Sequence, residues 1–169
     1  MLRAVAFAPV AVDQIEAALD EAPDAPAAVE DSDDAPSGIV SCAALLVKKV
    51  GLSEEHAILA AGFAGGIGLS GGACGALGAA VWILGMHHGK DGASFEEVNA
   101  KIGDSIERFL ESSGYEFQCF EIVGRKFDGF DDHACHLRGG GCWKIIDALA
   151  ASVQDELSRA SAETTSEPG

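Results

Sequence analysis

The chain has 169 residues, which suits one domain with tails, and its formal net charge is −16. Hydrophobic residues make up 48% of it but aromatic residues only 7%, so the core must be built from aliphatic side chains and close glycine contacts. The acidic balance argues against binding to nucleic acids and to anionic membrane surfaces, because both attract clusters of Lys and Arg. We therefore expect no nucleic-acid partner.

The first 37 residues differ in composition from the rest of the chain. They hold nine acidic residues against the single Arg3, and thus −8 of the total charge, together with four of the five prolines. A segment rich in Ala, Pro and Asp cannot bury enough apolar surface to offset its ordering entropy. We predict a disordered arm or linker over 1–37, a helical domain over 38–158 and a disordered tail over 159–169.

Residues 57–86 form a stretch without any charged side chain, and nine of them are glycine. The stretch is long enough to span a membrane, but its central glycines would divide a span into two short pieces. We predict instead a buried helix–turn–helix: Ser53 caps the first helix, 65–72 form a glycine-rich turn, and a second helix covers about 73–87. A G-x-G-x-x-G match in this turn lacks the preceding strand of a dinucleotide site, and we interpret it as a chance match.

Three further helices are predicted from the spacing of apolar residues. The firmest begins at the capping box Ser94–Glu97 and stops at Gly114. One follows the glycines 139–141, with Trp143 at the start of its apolar face, and one lies early, with a start near Ser37. Strand-like alternation is missing. We expect an all-α fold, a compact bundle of about five helices, with an irregular segment over 115–141.

The five cysteines are the most informative residues of the sequence. Their spacing contains no C-x-x-C pair and no zinc-ribbon pattern, and free cysteines often simply fill a core. However, at least two and up to four lie near predicted helix N-termini, where unpaired N–H groups and the helix dipole stabilise a thiolate. We therefore favour reactive or ligating thiols. The cysteines are Cys42, Cys74, Cys119, Cys135 and Cys142.

Four of these cysteines and the glycines near them resemble the redox-active family called C_GCAxxG_C_C. Cys119 and Cys142 look like the third and fourth motif cysteines, and the resemblance covers about Gly38 to Leu157. It implies a small helical protein with four functional cysteines and a thiol redox role. This chain departs from the pattern in having one residue fewer before the Gly–Ala pair that follows Cys74, and in carrying Cys135 as a fifth cysteine. The resemblance depends on Cys42, on Phe63-Ala64-Gly65-Gly66-Ile67-Gly68 and on Gly72-Ala73-Cys74-Gly75-Ala76-Leu77-Gly78-Ala79.

Our leading hypothesis is a cytoplasmic thiol–disulfide redox protein that acts on a redox partner protein or a small thiol. Cys74 is expected to be its low-pKa thiolate, with one of Cys42, Cys119 or Cys142 as partner. The pairing stays open, because four cysteines allow three connectivities. A homo-oligomer is compatible with the sequence.

Two alternatives belong to other functional classes. The same four cysteines could ligate a metal or an iron–sulfur cluster, and zinc or iron could also use Cys135 with His133 and His136. Taken singly, these two histidines are expected to belong to a polar surface loop. The second alternative is a non-catalytic helical module whose acidic arm binds a basic partner. Hydrolase or kinase chemistry has no motif here.

Overall fold

The computed structural model describes residues 40–90 and 92–164 of the chain. Within these ranges the fold is all-α, as predicted, with seven helices and one 3₁₀ turn, Ala61–Phe63. None of these helices is both long enough and apolar enough to cross a membrane. The helices are α1 (Cys42–Lys49), α2 (Glu54–Ala60), α3 (Gly75–Lys90), α4 (Phe95–Ser113), α5 (Cys119–Val123), α6 (Phe130–Arg138) and α7 (Trp143–Thr164).

The predicted ends of the chain are only partly covered by the structure. The arm over 1–37 lies outside the described residues, as do residues 165–169 of the predicted tail. Helix α7 continues to Thr164 and so extends into the segment that was expected to be a tail.

Short polar side chains start the helices that were predicted from sequence. Ser53 caps α2, and Ser94 and Glu97 form the full capping box of α4, which ends at Gly114 in the left-handed conformation. Helix α1 starts later than the expected Ser37. Its cap is Ser41, whose hydroxyl oxygen accepts a hydrogen bond from the N–H of Ala44 at 3.0 Å, so that Cys42 becomes the first residue of the helix.

The core consists mainly of small and aliphatic side chains, as the shortage of aromatic residues requires. Helix α1 packs on α3, and α7 packs on both α3 and α4. Phe109 is the largest fully buried side chain, and a hydrogen bond of 2.8 Å joins the buried hydroxyls of Ser105 and Ser152 across α4 and α7. Alanine occupies many of the remaining core positions, namely 43, 44, 57, 60, 64, 76, 79, 80 and 150.

The expected irregular segment over 115–141 is wrong, because it contains α5 and α6, and the count of about five helices is therefore too low. Both helices are short, with five and nine residues, and neither starts with a side-chain cap. Their sequences thus carry neither the capping signal nor enough turns for a clear apolar period. Trp143 also departs from the predicted apolar face, because this residue is 39% exposed.

The glycine-rich turn folds tightly between α2 and α3, which confirms the predicted helix–turn–helix. A Cβ on Gly75 would overlap the carbonyl oxygen of Phe63, so the start of α3 lies directly against the 3₁₀ turn. Gly66 has a φ of +82°, and a Cβ there would lie 2.6 Å from backbone atoms of Gly72. The G-x-G-x-x-G match follows helix α2 and the 3₁₀ turn, in place of the strand that a dinucleotide site needs.

Replacing Gly75 by alanine should lower the free energy of unfolding by about 2 kcal/mol or more, because backbone must move to admit the methyl group. Gly85, in the same helix, has open space around it, and Gly85→Ala should raise the free energy of unfolding by up to about 1 kcal/mol. Urea unfolding of the two variants measures both effects. Equal effects of the two substitutions would contradict the close approach at Gly75.

Candidate functional site

The four motif cysteines all lie at the start of a helix, which confirms the expectation from sequence. Cys42 is the first residue of α1 and Cys119 the first of α5. Cys74 directly precedes α3, and Cys142 directly precedes α7. All four are free thiols. Cysteines that are far apart in sequence therefore occupy the same kind of position, the start of a helix.

Backbone hydrogen bonds hold the segments of Cys74 and Cys119 side by side. The N–H of Cys74 donates to the carbonyl of Phe117 at 3.0 Å, and the N–H of Cys119 donates to the carbonyl of Gly72 at 2.7 Å. An isolated antiparallel bridge between Ala73 and Gln118 belongs to the same pairing. Because peptide groups make these bonds, the two cysteines are held next to each other independently of neighbouring side chains.

The sulfur atoms of Cys42 and Cys74 accept hydrogen bonds from backbone N–H groups. Gly65, in the glycine-rich turn, donates to the sulfur of Cys42. Ala76 and Leu77, in the first turn of α3, donate to the sulfur of Cys74, which therefore acts as the cap of that helix. The turn between α2 and α3 thus connects these two cysteines.

Burial raises the pKa of every thiol in the cluster. It brings the pKa of Cys42 and Cys142 to about 12 and that of Cys119 to about 11, from an ordinary value of 9.0, and it raises the pKa of Cys74 as well. The prediction that Cys74 is a low-pKa thiolate is therefore wrong. Its two N–H donors do lower its pKa, but the loss of hydration is the larger effect.

The charges of the cysteines also act on one another, which shows that the four belong to one cluster. After burial, the strongest influence on the pKa of Cys42, Cys119 and Cys142 is the charge of Cys74. Cys74 is thus the neighbour whose charge acts on each of the other three.

Cys142 has surroundings that set it apart within this four-cysteine cluster. It is only partly buried, whereas Cys42, Cys74 and Cys119 are buried. Its backbone has a φ of +63°, a left-handed conformation that is uncommon for a residue other than glycine. Its sulfur lies 3.6 Å from Nε2 of His136, a hydrogen-bonding distance for sulfur.

The three remaining candidate ligands lie on α6, and the expectation of a polar surface loop for the histidines is wrong. His133 is buried, and its ring packs edge-on against Phe127 at 4.8 Å between centroids. Cys135 is exposed, whereas the four cysteines of the cluster are buried or partly buried. Of these three residues, His136 is the one with a contact to the four-cysteine cluster, through Cys142. The sequence spacing did not predict this contact, because it depends on the turn after α6, which brings the two residues together.

On the metal alternative, no group of three or more His, Cys, Asp or Glu side chains among the described residues is placed so that it could hold a metal ion. The interaction-module alternative depends on the acidic arm, which lies outside the described residues.

Comparison with known protein families gives a match over most of the chain. A family model described as "Putative redox-active protein (C_GCAxxG_C_C)" matches residues 39–156. The match contains all four cysteines of the cluster and helices α1 to α6, together with most of α7. No curated protein and no solved structure matches the chain.

The raised thiol pKa values predict that the reduced protein loses stability in alkali. Because Cys42, Cys119 and Cys142 titrate near 11 to 12 when folded and near 9.0 when unfolded, their contribution is complete below pH 9 and declines above it. Urea unfolding with reductant at pH 8, 9, 10 and 11 should show this fall. The Cys42→Ala variant should lose stability less steeply with pH, and a slope equal to that of the unmodified protein would contradict the assignment.

Proposed function

The chain belongs to the C_GCAxxG_C_C family of redox-active proteins, and we propose that it carries out thiol–disulfide exchange with Cys74 as one sulfur of its disulfide. The observation that carries this proposal is the backbone pairing that holds the segment of Cys74 beside the segment of Cys119. The charge of Cys74 also acts on Cys42, Cys119 and Cys142, so the other three thiols lie in its neighbourhood.

The reaction that we propose is a two-electron exchange with a substrate disulfide. Two cysteine thiols of the cluster lose their protons and form a sulfur–sulfur bond, and the substrate disulfide takes up two electrons and two protons to give two thiols. The substrate is a redox partner protein or a small disulfide. The reverse reaction reduces the cluster again at the expense of two substrate thiols.

The hydrogen bonds around Cys74 support its role as the second sulfur to react. The N–H groups of Ala76 and Leu77 stabilise negative charge on its sulfur, both when it attacks a mixed disulfide and when it leaves during reduction. Its burial keeps it away from bulky reagents in solution. A more accessible cysteine would then be the first to meet the substrate.

Equilibration of the protein with oxidised glutathione, followed by alkylation and mass spectrometry, tests this proposal. We expect two of the five thiols to be lost to one intramolecular disulfide that contains Cys74. The Cys74→Ala variant should form no intramolecular disulfide under the same conditions.

Cys135→Ala provides the matched control, because Cys135 is an exposed cysteine on α6 outside the four-cysteine pattern, and this variant should form the disulfide as the unmodified protein does. An unmodified protein whose cluster keeps all four thiols would contradict the proposal. So would a Cys74→Ala variant that still forms an intramolecular disulfide in full.

A further inference from the structure

We infer that His136 is the base that activates Cys142, and that Cys142 is the sulfur that attacks the substrate disulfide. This inference depends on the proposed thiol–disulfide function and assigns the order in which its cysteines react. Two observations carry it. Cys142 is the one residue of the four that is only partly buried, and its sulfur lies at 3.6 Å from the Nε2 atom of His136.

The position of the His136 ring is set by the residues packed around it. On one side the ring lies against Phe127, with 5.3 Å between the ring centroids. On the other side it fills the space over Gly141, where any Cβ would overlap the imidazole. Gly141 therefore admits the ring to its place beside Cys142, directly before the start of α7.

An anionic side chain lies one turn before His136 on the same helix. Arg125 holds this carboxylate, Asp132, through two hydrogen bonds of 2.6 and 2.8 Å. These hydrogen bonds keep the pKa of the Asp132 carboxyl below its usual range. Helix α6 therefore presents a fixed carboxylate near the imidazole.

The proposed reaction begins with both groups neutral. As the Cys142 thiol passes its proton to Nε2 of His136, its sulfur attacks one sulfur of the substrate disulfide and forms a mixed disulfide. The other substrate sulfur leaves and takes the proton from His136 as a free thiol. The thiol of Cys74 then attacks the sulfur of Cys142 and breaks the mixed disulfide. The substrate sulfur that was bound to Cys142 leaves and takes up the proton of Cys74, and the intramolecular disulfide is complete.

A base beside Cys142 is needed because burial keeps its thiol protonated. Burial and the charges of Cys74 and Cys119 hold the pKa of Cys142 near 12, so almost none of it is thiolate at neutral pH. The thiolate is the attacking species in disulfide exchange. Removal of the proton within the encounter supplies this species only when a substrate is present.

Site-resolved alkylation with iodoacetamide at pH 7.5 tests the inference, with all variants made on a Cys135→Ser background. In His136→Gln the alkylation rate at Cys142 should fall by about tenfold or more, since general bases commonly contribute at least that much. The rates at Cys42, Cys74 and Cys119 should stay within about twofold of the background. His56→Gln, which removes a histidine on α2, should leave all four rates unchanged.

Gly141→Ala gives a second route to the same result, because the added methyl group displaces the imidazole while the base remains in the chain. It should slow alkylation of Cys142 as His136→Gln does, with an unfolding midpoint close to that of the background. An unchanged Cys142 rate in either folded variant would overturn the inference.

Failure of the inference can be told apart from failure of the proposed function. If His136→Gln oxidises with glutathione as fast as the background does, the role of His136 is wrong although the disulfide chemistry stands. If Cys142 alkylation depends on His136 but the background protein forms no intramolecular disulfide, the base assignment stands and the proposed function fails.

Discussion

The contact between Gly75 and the carbonyl of Phe63 is the constraint on which the cysteine cluster depends. Because no Cβ separates them, the start of α3 lies against the 3₁₀ turn, and the preceding residue, Cys74, is brought under the glycine-rich turn. The same turn reaches Cys42 through the N–H of Gly65, and the backbone of 71–74 pairs with the segment that carries Cys119. One close approach between two backbones therefore gathers three of the four sulfurs.

Two opposing effects act on the sulfurs of Cys42 and Cys74 in this arrangement. Helix starts offer N–H groups that favour a thiolate, but the small residues that allow the helices to approach also exclude the water that a thiolate needs. For Cys74 the exclusion of water is the stronger effect, and its pKa rises in spite of two N–H donors. The raised pKa values thus keep the thiols of the cluster protonated and weakly nucleophilic. For this reason the proposed base beside Cys142 matters.

The sequence predicted those parts of the fold that local signals specify. Ser53 and Ser94 are typical N-cap residues, and Gly114 is a typical residue at a helix C-terminus. The glycine content of 57–86 predicted a buried helix–turn–helix. Helix α6 was missed because it lacks a side-chain cap. The helix starts at the cysteines were also predictable, whereas the direction of the thiol pKa shifts depends on burial among distant residues. The contact between His136 and Cys142 required the turn that follows α6, whose path the spacing does not reveal.

The raised thiol pKa values have a consequence for the electrochemistry of the cluster. An ordinary dithiol ceases to exchange two protons with its two electrons above about pH 8.5, where its thiols ionise. Here the reduced form keeps its protons to higher pH, since Cys42 and Cys142 titrate near 12 and Cys119 near 11. In the proposed exchange, oxidation would release one proton with each electron, so the reduction potential of the cluster would fall by about 59 mV per pH unit as long as its thiols keep their protons. The proposed disulfide would then form a proton-coupled redox couple whose driving force follows the pH of its surroundings.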